Sequence, residues 1–448
     1  MFLRTIFCFI FFLAIASAFP VFADPIDDAL RQAEAEKTSE PKPTQPAYGL
    51  YNQKLGEKAT LRLLDLGLTG IFSVGGSTEP DQSLRLIEAG GHDPSKRGFN
   101  IQGFEMSLSG AVDPYFAAYG NIEVGLDELT GETEVELEEA YAVTRSLPFG
   151  LQVKGGHYFT EFGIINPTHP HAWDWMDIPV INARIFGGDG QRAPGAQISW
   201  LVPVPFYLNA MVGAQNAVGE NMPSFLANST VYSERAIGGR PFFDRNMNGL
   251  AELLYFARLE TSTDITQTLT TKMGISSLFG PNATGTSGKT RVLGADFLAK
   301  YVAKNNFRGT PYVKFQGEFI YRDFKADAFN DIQDPTDETD DIFYRRDHLR
   351  DLGFYSQILM GWSPRWEAGV RYEYATGSGE SVGGRGIDAL RDDRSRISPL
   401  LIYKPTEFSR LRLQANVDNA DHLTSDDNVF SLWFGLDFIL GTHPPHKF

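Results

Sequence analysis

From Phe430 to Leu440 the chain alternates at period two. Phe430, Leu432, Phe434, Leu436, Phe438 and Leu440 fall on one side of a strand, while Ser431, Gly435 and Asp437 fall on the other. A run of this length that recurs along a chain is the pattern of a transmembrane β-barrel, whose strands face lipid on one side and a polar lumen on the other.

The N-terminus fits that destination. Residues 1–23 read as a secretory signal, with Arg4 in the n-region, Ile6 to Ala16 as the apolar segment and Val21-Phe-Ala23 as the cleavage site. No other stretch approaches the ~20 apolar residues of a membrane helix. The lone cysteine, Cys8, lies in the signal, which excludes disulfides, Cys metal sites and thiol catalysis from the mature chain. A formal charge of −16 argues against a nucleic-acid partner. An aromatic content of 13% suits lipid-facing girdles on a chain whose strands are otherwise half polar. Residues 24–59, with the proline-rich Pro41-Lys-Pro-Thr-Gln-Pro46, read as a periplasmic leader, and 60–448 as the barrel.

Sixteen strands are predicted, at 60–74, 97–111, 114–127, 134–146, 150–159, 192–202, 205–216, 250–262, 266–278, 290–302, 311–324, 351–362, 365–375, 393–403, 408–418 and 428–440. Their connections alternate between tight turns such as Pro203-Val-Pro205 and long segments such as 160–191, 217–249 and 325–350. That rhythm is expected of an all-β, antiparallel outer-membrane barrel with short periplasmic turns, and an even count closes it without a free edge. Alternation points Leu411, Leu413, Ala415 and Val417 at lipid and Arg410, Arg412, Gln414, Asn416 and Asp418 at the lumen. Likewise Trp366, Val370 and Tyr372 point out, while Glu367, Arg371 and Glu373 point in. A misplaced Arg or Lys at the bilayer midplane would cost about 2 to 4 kcal/mol, so the segregation fixes the register.

The segment from Thr160 to Arg192 is the third outer loop by count. Its prolines at 167, 170 and 179 forbid a long helix or ladder, while Trp173, Trp175 and Met176 want burial. It is expected to fold into the barrel and constrict a water-filled lumen, with His169, His171, Trp173, Asp174, Trp175, Asp177 and Arg184 in contact with solute. Whether His169 and His171, with Asp174 and Asp177 as further donors, bind a metal such as zinc or merely pack against the wall stays open. Asp244, Asn246 and Asn248, followed by Gly249 and Glu252, resemble the start of a calcium loop, although Tyr255 stands where its last glutamate belongs. The acidic run between Asp327 and Asp341 and the tail histidines His443 and His446 read as solvated. No nucleophile elbow accompanies His157, so no enzyme is expected.

With those residues in view, the chain resembles bacterial outer-membrane porins, including the group related to phosphate-selective porins. Within that group it is similar to barrels that carry Phe-Gly-x-x-Asn-x-x-His-x-His and then Asp-x-Pro, here Phe162, Gly163, Asn166, His169, His171, Asp177 and Pro179. The resemblance implies a passive channel for small solutes and a homotrimer embedded in outer-membrane lipid, with no obligatory cofactor. A TonB-dependent receptor does not fit, because its barrel of about 22 strands encloses a folded plug that 24–59 is too short to form. A metal-ion receptor and a structural or adhesive barrel remain the rival readings.

Overall fold

A computed structural model describes residues 52–54, 60–62, 64–126, 131–234, 236–245, 247–331, 342–379, 388–423 and 428–441. Of the two compact units into which the chain divides, Met1–Gln53 and Lys54–Phe448, the second holds the barrel. The expected signal and nearly all of the expected leader lie outside the described residues, as do His443, His446 and most of the acidic run before Asp341.

Sixteen antiparallel strands close into a barrel. They are β1 (Asp65–Ser77), β2 (Gly98–Ala111), β3 (Phe116–Leu126), β4 (Thr133–Thr144), β5 (Leu151–Phe159), β6 (Arg192–Leu201), β7 (Tyr207–Asn216) and β8 (Leu253–Thr266). The second half comprises β9 (Leu269–Pro281), β10 (Lys289–Phe307), β11 (Thr310–Ala326), β12 (Asp347–Ser363), β13 (Trp366–Ser378), β14 (Arg394–Thr406), β15 (Ser409–Ala420) and β16 (Val429–Gly441). Each strand pairs with the next, and the last pairs with the first from Ser431↔Ser77 to Gly441↔Gly67. All sixteen predicted strands are present. The first starts at Asp65 rather than 60, and β10 to β12 run several residues beyond their predicted ends. Loop 325–350 also contains a short ribbon, Phe329–Asp331 against Ile342–Tyr344.

The period-two pattern sorts the side chains as expected. Phe430, Leu432, Phe434 and Leu436 are exposed on the outer wall, while Ser431, Trp433, Gly435 and Asp437 are buried inside. Near the short-turn rim, Trp362 stacks on Trp366, which in turn packs on Tyr403, part of an interfacial aromatic girdle. No helix of the described residues is long and apolar enough to cross a membrane. A closed ladder satisfies its own backbone without water and the apolar side chains around it call for lipid, which makes this an outer-membrane β-barrel.

Two irregularities matter later. Between β1 and β2 the pairing steps from Ile71↔Gly103 to Phe72↔Ile101, which leaves Gln102 as an extra residue. Between β3 and β4 it steps from Asn121↔Glu139 to Ile122↔Leu137, which leaves Glu138 extra. Each bulge resets the inward parity of its strand.

Candidate functional site

The loop between β5 and β6 enters the lumen, and its neck is fastened first. Asn166 donates to the carbonyls of Thr160 (2.8 Å) and Gln191 (3.2 Å), and its own oxygen accepts the Gln191 amide (2.8 Å). Next to it Gly163 adopts a left-handed φ of 63°, so that the amides of Ile164 and Ile165 both donate to Glu318 on β11 at 2.6 and 2.7 Å.

Beyond the neck the prolines prevent any ladder, and lumenal arginines take over the backbone carbonyls. Arg410 donates to the carbonyls of Trp173 (2.9 Å) and His171 (3.1 Å), Arg412 to that of Trp175 (2.9 Å), and Arg371 to that of Asp177 (3.0 Å). Asp177, 1% exposed, sits at the centre of this grip. It pairs with Arg371, with Arg396 (2.6 Å), with Gln414 (2.8 Å) and with Asn416 (3.0 Å). Burial alone would raise its pKa, but the Arg371 and Arg396 guanidiniums hold the carboxyl below the ordinary carboxylate range.

Apolar side chains of the loop fit sockets made by wall glycines. A Cβ at Gly369 would stand 3.0 Å from Trp175, at Gly435 2.7 Å from Met176, and at Gly353 2.8 Å from Ile181. Trp175 also packs on Leu359, Leu400 and Ile402 and donates to the Ser398 carbonyl at 2.9 Å. Trp173 packs with Ile165, Ile178, Ala183 and Tyr355. The short helix α2 (Val180–Phe186) then joins Tyr158, Met222, Phe225, Leu254 and Phe256 in an apolar core inside the barrel mouth. Arg184 on this helix donates to the Asp392 carbonyl at 2.8 Å, and burial pulls its guanidinium down to about 10.

The loop therefore packs against much of the inner wall. Inward residues on nearly every strand are buried, among them Asn121, Gln215, Arg258, Asp296, Glu318, Asp351 and Ser431. The expected lumenal charges are spent on internal pairs rather than left facing water. Glu373 pairs with Arg371 (2.7 Å), Glu367 with Lys404 (2.6 Å), and Arg410 and Arg412 with Asp437 (2.6 and 2.7 Å). Toward the short-turn rim the packing loosens: Lys404 and Lys314 are partly exposed, and Lys314 meets Asp174 at 2.6 Å.

The histidines keep different company from that expected. Asp174 and Asp177 belong to Lys314 and to Arg371–Arg396, so neither is a donor beside them. His169 instead lies 2.9 Å from Glu139 and 3.2 Å from Glu138, and His171 lies 2.7 Å from Glu105. The two rings stack at 5.6 Å. Burial alone would lower His169, but Glu138 and Glu139 hold it well above its ordinary value. Glu105, Glu138 and Glu139 were missed because strand parity without a bulge sends one of two adjacent glutamates to lipid. The Glu138-Glu139 doublet itself was the available clue.

Among the described residues of the calcium-like stretch, no three acidic side chains converge on one point. Asp244 and Asn248 are exposed, Glu252 faces Arg245 at 3.6 Å, and Asn246 lies outside the described residues.

No protein-family model matches the chain. In fold it is similar to an anion-selective porin from Comamonas acidovorans, at 12% identity over 85% of this chain and 99% of that one with a TM-score of 0.47. It is also similar to the outer membrane channel DcaP of Acinetobacter baumannii, at 11% identity over 84% and 96% with a TM-score of 0.49. In sequence it is 32% identical over 431 residues to an uncharacterized protein of Aquifex aeolicus (strain VF5), covering 89% of this chain and 84% of that protein. The chain belongs to the same family as that Aquifex aeolicus protein.

Proposed function

We propose that the protein is a porin-like passive channel for small solutes in which the loop 160–191 is the constriction. The observation that carries this reading is how the loop is held. Side-chain pairs and glycine sockets attach it to a wall whose own ladder is complete without it, so it can shift while the barrel stays closed. Once the loop shifts, solutes would pass the mixed charges of Glu367, Arg371, Glu373, Arg410 and Arg412, which set the field along the path. The reading assigns no catalytic step. It retains the homotrimer as the expected assembly, to be checked by cross-linking in outer-membrane vesicles.

Single-channel recording in planar bilayers tests it. Discrete current steps are expected, with a reversal potential that reports which sign of charge governs the constriction. A bilayer that stays silent although insertion has been verified would instead leave a structural or adhesive barrel. A second reading, a channel or receptor for a metal cation, is favoured by the placement of His169 among Glu105, Glu138 and Glu139.

A further inference from the structure

We propose that Glu105, Glu138, His169 and His171 form a binding site for one divalent transition-metal cation at mid-height on the inner wall of the barrel. Imidazole with carboxylate is the donor set that suits zinc and its first-row neighbours. The metal reading above motivates the question, but the site is argued from its own geometry and stands whether or not the barrel conducts.

The spacing fits an ion. The ligand atoms of Glu105, Glu138 and His169 lie within 4.8 Å of one another. His169 Nδ1 is 3.6 Å from Glu105 Oε2 and 3.2 Å from Glu138 Oε2. Donors held about 2.0–2.2 Å from a tetrahedral cation stand about 3.4 Å apart, and the Asn121 side-chain amide, which donates to Glu138 Oε2 at 2.6 Å and lies 3.3 Å from Glu105 Oε2 and 3.1 Å from His169 Nδ1, fills that position and turns aside when the ion enters. The remaining ring nitrogen, Nε2, lies 2.9 Å from Glu139 Oε2. A carboxylate behind the second nitrogen is the usual way of fixing a metal-bound imidazole. His171 Nδ1 faces the same Glu105 oxygen at 2.7 Å.

Unsatisfied atoms point the same way. Glu105 is 3% exposed and Glu138 is fully buried, and Oε1 of each lacks a hydrogen-bond partner among the described residues. A buried carboxylate oxygen without a partner is costly and calls for a counter-charge. The nearby Arg192 is paired with Glu136.

The backbone is built to place these groups. Without the bulge in β4, Glu138 would follow Leu137 out of phase and only one of Glu138 and Glu139 could face the lumen. With it, both do, across β3 from Glu105. Glu138 also closes a second triple with His92 and Glu123, whose nitrogen and oxygen lie 3.1 Å apart, so its carboxylate is fixed from two sides.

The full-length barrel, refolded in detergent micelles and stripped by chelator, is titrated with zinc by calorimetry and with cobalt by visible absorption. Saturable binding is expected, with cobalt bands of a low-symmetry nitrogen–oxygen site. Affinity should fall by about 100-fold or more in H169A and in the near-isosteric E138Q, and by at least about tenfold in E139Q, which only orients His169. H348A, at the long-loop rim and half exposed, should bind as the parent does. Heat-modifiable gel migration confirms that each variant is folded, and E138Q keeps the test valid if H169A is not. Absence of binding in the parent, or affinity unaltered by both H169A and E138Q, would overturn the proposal. In that case the cluster is held by its hydrogen bonds alone.

Discussion

Asp177 holds two buried arginines, Arg371 and Arg396, and removing its charge takes one carboxylate from each, leaving Arg371 with Glu373 and Arg396 with Glu88 and Asp418. Leaving a buried charge wholly unpaired costs about 3–5 kcal/mol, and the partners that remain make this loss smaller. D177N is therefore expected to release the loop without opening the barrel, read as faster protease cleavage within 160–191 and larger current steps. Gly163 acts through geometry instead. Its φ of 63° and the 2.5 Å gap between a Cβ and Glu318 Oε2 leave no room for a side chain. G163A should weaken docking of the loop neck by about 1–3 kcal/mol, measured as loss of hydrogen-exchange protection at Ile164 and Ile165. Unchanged protection there would mean that Glu318 can move aside.

At the scale of elements, two loops fill the mouth together. The loop 78–97, with its short helix α1 (Asp81–Ile87), places Glu88 against Arg396 and Asn416, and Asp93 beneath the amides of Gly90 and Ile178. Burial, with Asp177 close by, pushes Glu88 from 4.5 up to about 8 despite Arg396, and Asp93 from 3.8 up to about 7. A group raised in the docked state stabilises it fully below its ordinary value, and that stabilisation fades as pH rises through the raised value. Asp177 opposes only in acid, since its lowered pKa contributes stability that is complete above 3.8 and is lost as pH falls through the lowered value. The two loops should thus dock best in weak acid and loosen between about pH 4 and 8. Hydrogen exchange corrected for its intrinsic pH dependence should be faster in both loops at the alkaline end of that window. Tighter docking there would contradict the assignment of Glu88 and Asp93.

For the whole molecule, the wall and its filling are separable. Phe159 already pairs with Arg192 across β5 and β6, so a tight turn can replace the loop between them. Excising 164–187 and bridging the gap with Gly-Ser should leave sixteen strands closed and raise single-channel conductance severalfold. The same deletion exposes apolar surface on Phe225, Leu254 and Phe256, which α2 covers, so some loss of thermal stability should accompany the wider pore. Equal conductance with and without the loop would show that it is not the constriction.

Strand number, order and facing were legible in the chain because a bilayer imposes a strict rule. Every lipid-facing position from Phe430 to Leu436 must be apolar, and the two-residue period therefore survives in the sequence. The inward turn of the loop 160–191 was an expectation only, since three prolines and two tryptophans suit neither a ladder nor water but do not set the direction in which the loop folds. What it touches was not legible. The partners of Asp177 come from three strands, more than 190 residues further along, and nothing local marks Arg371, Arg396 or Asn416 as its counterparts. Parity likewise hid Glu138, because a single inserted residue reverses the facing of everything after it. Periodicity is a local property that repeats and can be read in one dimension. The match of a loop to its socket, and of a histidine to its carboxylates, exists only once the barrel has closed.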